Sequence, residues 1–294
     1  MHLSEKTKRI AIASGKGGTG KTTVSVNLFH FIQKHWTQNV ELSDCDVEEP
    51  NSSLFFSDSQ KTQQKDSFQM IPKIDIEKCT FCRKCVEYCE FNAIVVIPPV
   101  KFAEINPSLC HSCGACSVAC KFGAIEEFPV KLGEITSYET NNQNRLIEGK
   151  LEIGSAMQTL MIKELKKETD SKVEICLYDS PPGTSCPVVT TVADAHYVIL
   201  VAEPTPFGLY DLKLMVELLR ELKKEFGIIV NKAGIGNMDL YEYVENENIN
   251  ILGEIPFSRV YAENYASGNL MINIPEEIEN SYVQIVNNLQ KKFI

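Results

Sequence analysis

At 294 residues the chain can bury a full α/β core and still carry a small insertion. A formal charge of −10 and a pI near 5.1 argue against a surface that coats DNA, so no nucleic-acid partner is expected. No apolar run approaches the roughly 18 residues of a membrane span, and residues 1–8 lack the apolar core of a signal peptide, so the expectation is a cytoplasmic protein without a stable membrane anchor. Eleven cysteines in a reducing compartment then need an explanation other than disulfides.

The chain opens with an apolar run, Ile10 to Ala13, followed by Gly15, Lys16, Gly17, Gly18, Thr19, Gly20, Lys21, Thr22 and Thr23 and then a helix-like segment, Val24 to Lys34. Strand, glycine loop and helix form the context of a phosphate-binding loop. Glycines let backbone N–H groups turn inward on phosphates, Lys21 can reach the β- and γ-phosphates, and the Thr22 hydroxyl can ligate Mg²⁺. Val40 to Ser43 reads as a second strand that ends in Asp44 and Asp46, where open α/β sheets place ligand chemistry. Residues 57–67 turn polar without apolar periodicity and read as a linker.

Next comes an internal duplication. Cys79, Cys82, Cys85 and Cys89 have the spacing C-x2-C-x2-C-x3-C, and Cys110, Cys113, Cys116 and Cys120 repeat it 31 residues on. Ile74 matches Ile105, and residues 91–94 match residues 122–125. Three thiolates within seven residues can wrap one face of a cubane cluster while the fourth points to another. The segment resembles the bacterial ferredoxins. On that logic and that resemblance, one [4Fe–4S] cluster takes Cys79, Cys82, Cys85 and Cys120, and the other takes Cys110, Cys113, Cys116 and Cys89. Zinc is the competing ligand, although structural zinc favours separated C-x2-C pairs. Ferredoxins usually place proline after the fourth cysteine, where this chain has Glu90 and Lys121, which bears on cluster potential more than on ligation.

Beyond the insertion, residues 134–140 and 145–153 read as a hairpin and residues 154–167 as a helix. Val173 to Tyr178 is a strand delivering Asp179, with Gly183 close behind, the pattern of a segment that orients Mg²⁺ and senses the γ-phosphate. Tyr197 to Ala202 is a buried strand, Leu209 to Phe226 a long helix, Ile228 to Ala233 a strand carrying Asn231, and residues 251–257 the last core strand. The terminal helix, residues 275–294, has apolar residues at helical spacing and few cations, which favours docking on the protein's own core. Cys45 and Cys176 read as small apolar residues near strands.

With Lys16 directly after the first glycine, the loop resembles the deviant Walker A motif of the MinD, Mrp, ParA and nitrogenase iron-protein ATPases. That resemblance implies a mostly parallel, doubly wound P-loop sheet with helices on both faces, interrupted by a small ferredoxin-like α+β domain. The expected division is residues 1–68 and 129–294 for the ATPase domain and 69–128 for the insertion. It further implies ATP/ADP and Mg²⁺ as ligands, Lys16 reaching across a homodimer to the partner's nucleotide, Asp46 contacting the magnesium shell or attacking water, and Asn231 pairing with the adenine edge. Cys186 lies where the iron protein has a cluster-ligating cysteine, without a second such ligand in view. The expected activity is ATP hydrolysis that closes a homodimer and repositions two clusters for electron transfer to a redox partner the sequence leaves unnamed. The alternatives are an Mrp-like carrier that hands clusters over and a MinD- or ParA-like positioning ATPase with a redox module.

Overall fold

The computed structural model describes residues 7–36, 39–140, 144–170 and 172–293. The chain separates into two compact units. One comprises the residues up to Gln64, Ile135–Lys150 and those from Thr159 onward, and the other comprises Lys65–Glu134 with Leu151–Gln158.

The first unit begins with β1 (Lys8–Ala13), α1 (Lys21–His35) and β2 (Val40–Asp44). A short 3-10 turn, Ser52–Phe55, leads to β3 (Gln60–Ile74). After the insertion come β6 (Ile125–Glu139), β7 (Arg145–Leu151), α4 (Gln158–Lys167), β8 (Ile175–Asp179) and α5 (Cys186–Val192). Then follow β9 (Tyr197–Ala202), α6 (Pro206–Glu221), β10 (Phe226–Ala233), α7 (Asp239–Asn246), β11 (Ile251–Pro256), α8 (Arg259–Ala266) and α9 (Glu276–Phe293).

These strands form one sheet in the order β11-β10-β9-β1-β8-β2-β7-β6-β3. The pairings from β11 through β7 are all parallel. Parallel strands covered on both faces must be apolar throughout, and β8 and β9 are buried at every residue. In register, Ile12 lies beside Asp179, and Asp179 beside Asp44. β1 lies between β8 and β9, so the chain after it emerges where the sheet's winding reverses, the place such folds bind ligands.

α1 and α9 share the core with β11. Phe31 stacks on Tyr282 at 5.3 Å, and a Cβ on Gly253 would come within 2.5 Å of Ile285. The terminal helix therefore docks on the protein's own core, burying Ile278, Tyr282, Ile285 and Leu289. Among the described residues no helix is long and apolar enough to cross a membrane.

Three expectations need correction. Residues 60–67 are not a linker but the start of β3, which ends the sheet; their polar side chains are those of an edge strand facing water, so periodicity gave no sign of it. The helix expected at 154–167 begins only at Gln158, because Gly154 (φ +86°) and the Ser155 N–H to Glu152 hydrogen bond hold a turn before it. The helix expected at 209–226 starts earlier and stops sooner. Thr205 caps it by accepting from the Gly208 N–H at 3.0 Å, and Lys223 at φ +53° turns the chain into β10.

The second unit contains α2 (Lys84–Glu87), β4 (Ile94–Ile97), β5 (Phe102–Ile105) and α3 (Ala115–Ala119). β4 and β5 pair antiparallel, with Ile94 opposite Ile105. Its core is small: Ile71, Ala93, Ile94, Val96, Ile105, Cys110 and Cys116. The duplication is visible as crossed backbone pairing. Asp75 N–H donates to Ala124 O at 2.8 Å and the equivalent Asn106 N–H to Ala93 O at 2.7 Å, so each half begins on the end of the other.

Candidate functional site

The loop after β1 is shaped by its glycines. A Cβ on Gly15 would collide with the Asp211 carbonyl in α6 at 2.4 Å, and Gly20, at φ +89°, leaves room for the Asn231 amide, which a Cβ would meet at 2.2 Å. That amide donates to Thr19 O at 2.7 Å, so Asn231 ties the end of β10 to the loop. With Asp46, Asn51 and, from the end of β11 and α8, Phe257, Tyr261 and Tyr265, the loop lines an open cavity of about 360 Å³. Lys16, Gly17, Gly18, Thr19, Gly20, Lys21, Thr22, Thr23, Asp46 and Asn231 all border it; Gly15 packs behind it on α6, and Gly183 is held to the loop by its N–H donating to Ser14 O at 3.0 Å.

The charged centre lies beneath. Lys21 Nζ meets Asp179 Oδ1 at 3.1 Å, and the Ser25 hydroxyl, one helical turn beyond Lys21, donates to the same oxygen at 2.8 Å. Both Lys21 and Asp179 are buried, and among the described residues Asp179 Oδ2 has no hydrogen-bond partner. A buried carboxylate oxygen without a donor calls for a cation or water, and with the Thr22 hydroxyl on the cavity wall this oxygen-rich set suits Mg²⁺. Burial opposes the Lys21 charge, but Asp179, Asp44 and Asp46 outweigh it and hold its pKa above the ordinary lysine value.

Asp44 plays a different part. Its Oδ1 accepts from the Asp46 N–H at 3.1 Å, and its Oδ2 from the Asn51 and Ser52 N–H groups at 3.0 and 2.9 Å. The loop that carries Asp46 is thus pinned at both ends to one carboxylate. Burial, then the neighbouring charge of Asp179, push the Asp44 pKa up. Burial also raises that of Asp46, which is half-buried, with Lys21 pulling the other way.

Lys16 reaches Glu203 of its own chain at 2.6 Å, and Lys232 reaches the same carboxylate at 2.9 Å while donating to Gly18 O at 3.1 Å. Burial works against the Glu203 charge, but the two lysines win and lower its pKa. Sequence reasoning gave no site role to Glu203, Lys232 or Ser25. Ser25 had a signal, four residues after Lys21 on one helix face. Glu203 ends a buried strand beside a proline, which marks a strand terminus but not its partner.

The second unit sorts its eight cysteines into two groups. Cys79, Cys82, Cys85 and Cys120 line one cavity; Cys89, Cys110, Cys113 and Cys116 line another. Left-handed residues recur at the repeat offset, Phe81 with Ser112, Arg83 with Gly114 and Asn92 with Gly123. They turn N–H groups toward sulfur: Phe81 N–H to Cys79 Sγ at 3.4 Å, Ser112 N–H to Cys110 Sγ at 3.5 Å and Ala124 N–H to Cys120 Sγ at 3.4 Å. The Lys84 N–H and the Thr80 hydroxyl hold the exposed Cys82 thiol below its ordinary pKa. Four thiols disposed around an apolar cavity, with N–H donors to their sulfurs, fit an iron–sulfur cluster with one ligand at each corner. Among the described residues no three His, Cys, Asp or Glu side chains meet at a single ion. Cys45 and Cys176 are buried with thiol pKa values pushed up by burial, as packing residues are; Cys186 is exposed.

A parallel doubly wound sheet, a glycine loop after its central strand and a buried Lys–Asp pair below it define a P-loop nucleotide-binding protein. More narrowly, a family model described as CobQ/CobB/MinD/ParA nucleotide binding domain matches residues 10–271, and the chain belongs to that family of P-loop ATPases. It is 33% identical over 287 residues to an uncharacterised protein of Methanocaldococcus jannaschii, MJ0578, covering 97% of each chain. The fold is similar to the septum site-determining protein MinD of Pyrococcus horikoshii in complex with Mg-ADP, at TM-score 0.60 and 17% identity over 98% of this chain and 97% of that one. A short stretch, 58 residues at 40% identity, is similar to subunit IorA of the indolepyruvate oxidoreductase of Thermococcus kodakarensis, covering 20% of this chain and 9% of that one.

Proposed function

We propose that the protein is an ATP-hydrolysing iron–sulfur protein in which nucleotide-driven closure of a homodimer is coupled to electron transfer through two [4Fe–4S] clusters. The observation that carries this reading is the sorting of eight cysteines into two cavity-lining sets of four, in a unit that the chain enters after Asp46 and leaves before Asp179. Cys79, Cys82, Cys85 and Cys120 hold one cluster, and Cys89, Cys110, Cys113 and Cys116 the other; when bound, the clusters supply one-electron carriers.

In the nucleotide unit, loop N–H groups and Lys21 hold the phosphates of ATP, while Thr22 and Asp179 hold Mg²⁺. Asp46 orients the attacking water, Gly183 reports on the γ-phosphate, and Asn231 stands at the base end. Lys16 leaves Glu203 to meet the nucleotide of a second copy. Its present partner Glu203 then keeps Lys232, so the exchange does not strand a carboxylate. Because Asp44 pins the loop that leads to β3, rearrangement around Asp46 is felt at the strand that carries the chain into the cysteine unit.

The test is stopped-flow reduction of the anaerobically reconstituted protein by dithionite, read from visible bleaching, with Mg·ATP, with Mg·ADP and with neither. A rate that changes several-fold with Mg·ATP and not with Mg·ADP is expected. Equal rates in all three sink the coupling, and cluster loss to an apo-ferredoxin would favour a carrier instead.

A further inference from the structure

The two halves of the cysteine unit share a backbone but not a charge. From this difference we infer that the two cluster sites are unequal, with Arg83 raising the reduction potential of the site of Cys79, Cys82, Cys85 and Cys120, and Glu127 lowering that of the site of Cys89, Cys110, Cys113 and Cys116. The inference rests on the proposal above that each set holds one [4Fe–4S] cluster.

The repeat offset makes the comparison position by position. Arg83 and Lys84 line the first cavity, and their counterparts in the second are Gly114 and Ala115. Lys84 is neutralised by Glu87 at 2.7 Å, but among the described residues the Arg83 guanidinium has no acidic partner. Arg83 also holds a left-handed backbone, φ +65°, where the other half uses Gly114 at φ +73°. An arginine is therefore kept beside the first site at a steric cost that its duplicate avoids.

The opposite sign appears at the second site. Glu127 Oε1 lies 3.6 Å from where a Gly114 Cβ would stand, beside the turn between Cys113 and Cys116, and Glu127 makes no ion pair among the described residues. The residue 31 positions earlier is Val96, which lines the first cavity with a buried methyl group. Hydrogen bonding runs the same way: the first set receives N–H donors from Phe81, Lys84, Val86 and Ala124, the second from Ser112 and Ser117. Reduction adds one negative charge to a cluster. A nearby cation and N–H donors stabilise that charge, and a nearby carboxylate opposes it. An electron given to either site by a low-potential one-electron donor rests first at the Cys79 set.

The experiment is a mediated potentiometric titration of the reconstituted full-length protein with dithionite, followed by electron paramagnetic resonance. Low salt keeps the charges of Arg83 and Glu127 unscreened, and every variant is titrated at the same pH. Two resolved one-electron steps are expected. Arg83→Gln lowers the higher step, Glu127→Gln raises the lower one, the double variant brings them together, and Arg83→Lys leaves the higher step where it was. Coincident steps in the unaltered protein, or steps that neither variant moves, overturn the inference while leaving two clusters in place. Iron well below about eight per chain, measured beforehand, overturns the two-cluster reading itself and the inference with it.

Discussion

The two units obtain order by different means. In the nucleotide unit the strands from β1 to β11 and helices α1 and α9 bury a continuous set of large side chains, among them Phe29, Phe31, Tyr197 and Tyr282. In the cysteine unit seven buried residues form the core and two of those are cysteines. A core of that size leaves the unit short of apolar burial, so on the proposed reading the thiols carry structural as well as redox weight. If the thiols hold clusters as proposed, the ligands of the two units act differently: a nucleotide adds to a fold that already exists, whereas the metal completes one.

The sharpest way to break that contrast is to remove one corner of a cluster. Cys116→Ser, at a buried position, is expected to abolish the visible absorption of the second site and the amide protection of α3 and β5, with nucleotide binding little changed. Loss of nucleotide binding at the same time would show that the units stand or fall together. From the other side, Asp179→Asn takes the charge away from Lys21 and from the magnesium shell. Hydrolysis should fall by about 10²–10³-fold, the scale of losing one preorganised electrostatic group, while iron content stays the same. A smaller effect sharpens the electrostatics. Because the Asp44 pKa is raised in the folded protein, the native state binds its proton more tightly than the unfolded chain, and nucleotide-free stability should decline as pH rises from the ordinary aspartate range toward neutrality. Mg²⁺ favours the ionised form, so Mg·ADP binding near neutral pH should release up to about one proton. Calorimetry in two buffers of different ionisation enthalpy reads this directly, and Asp44→Asn should erase it.

What was legible in the sequence follows the same division. The loop from Gly15 to Thr23 and the spacing of the eight cysteines are local patterns, and the residues they name, apart from Gly15 behind the loop, border the cavities of the structure. The buried parallel strands were legible because a strand covered on both faces must be apolar at every position. The start of β3 was not, since an edge strand with Gln60, Lys61, Gln63 and Gln64 in water has the composition of a linker. Nor was the partner of Lys16. Glu203 is 187 positions away, and only the assembled sheet brings the ends of β1 and β9 together. The tie from Asn231 to Thr19 escaped for the same reason: side-chain pairing across a sheet leaves no spacing to read.

The chain first leaves the nucleotide unit within β3 and returns within β6, strands that are neighbours in the sheet, and Leu151–Gln158 after β7 belongs to the second unit as well. This first exit and re-entry are on adjacent strands, as the two ends of a hairpin are. A host of this design can gain or lose most of a cysteine-bearing module between two neighbouring rim strands, without re-routing any strand around the phosphate loop. The position of the splice keeps the host's winding order intact, and that leaves such a module free to be exchanged.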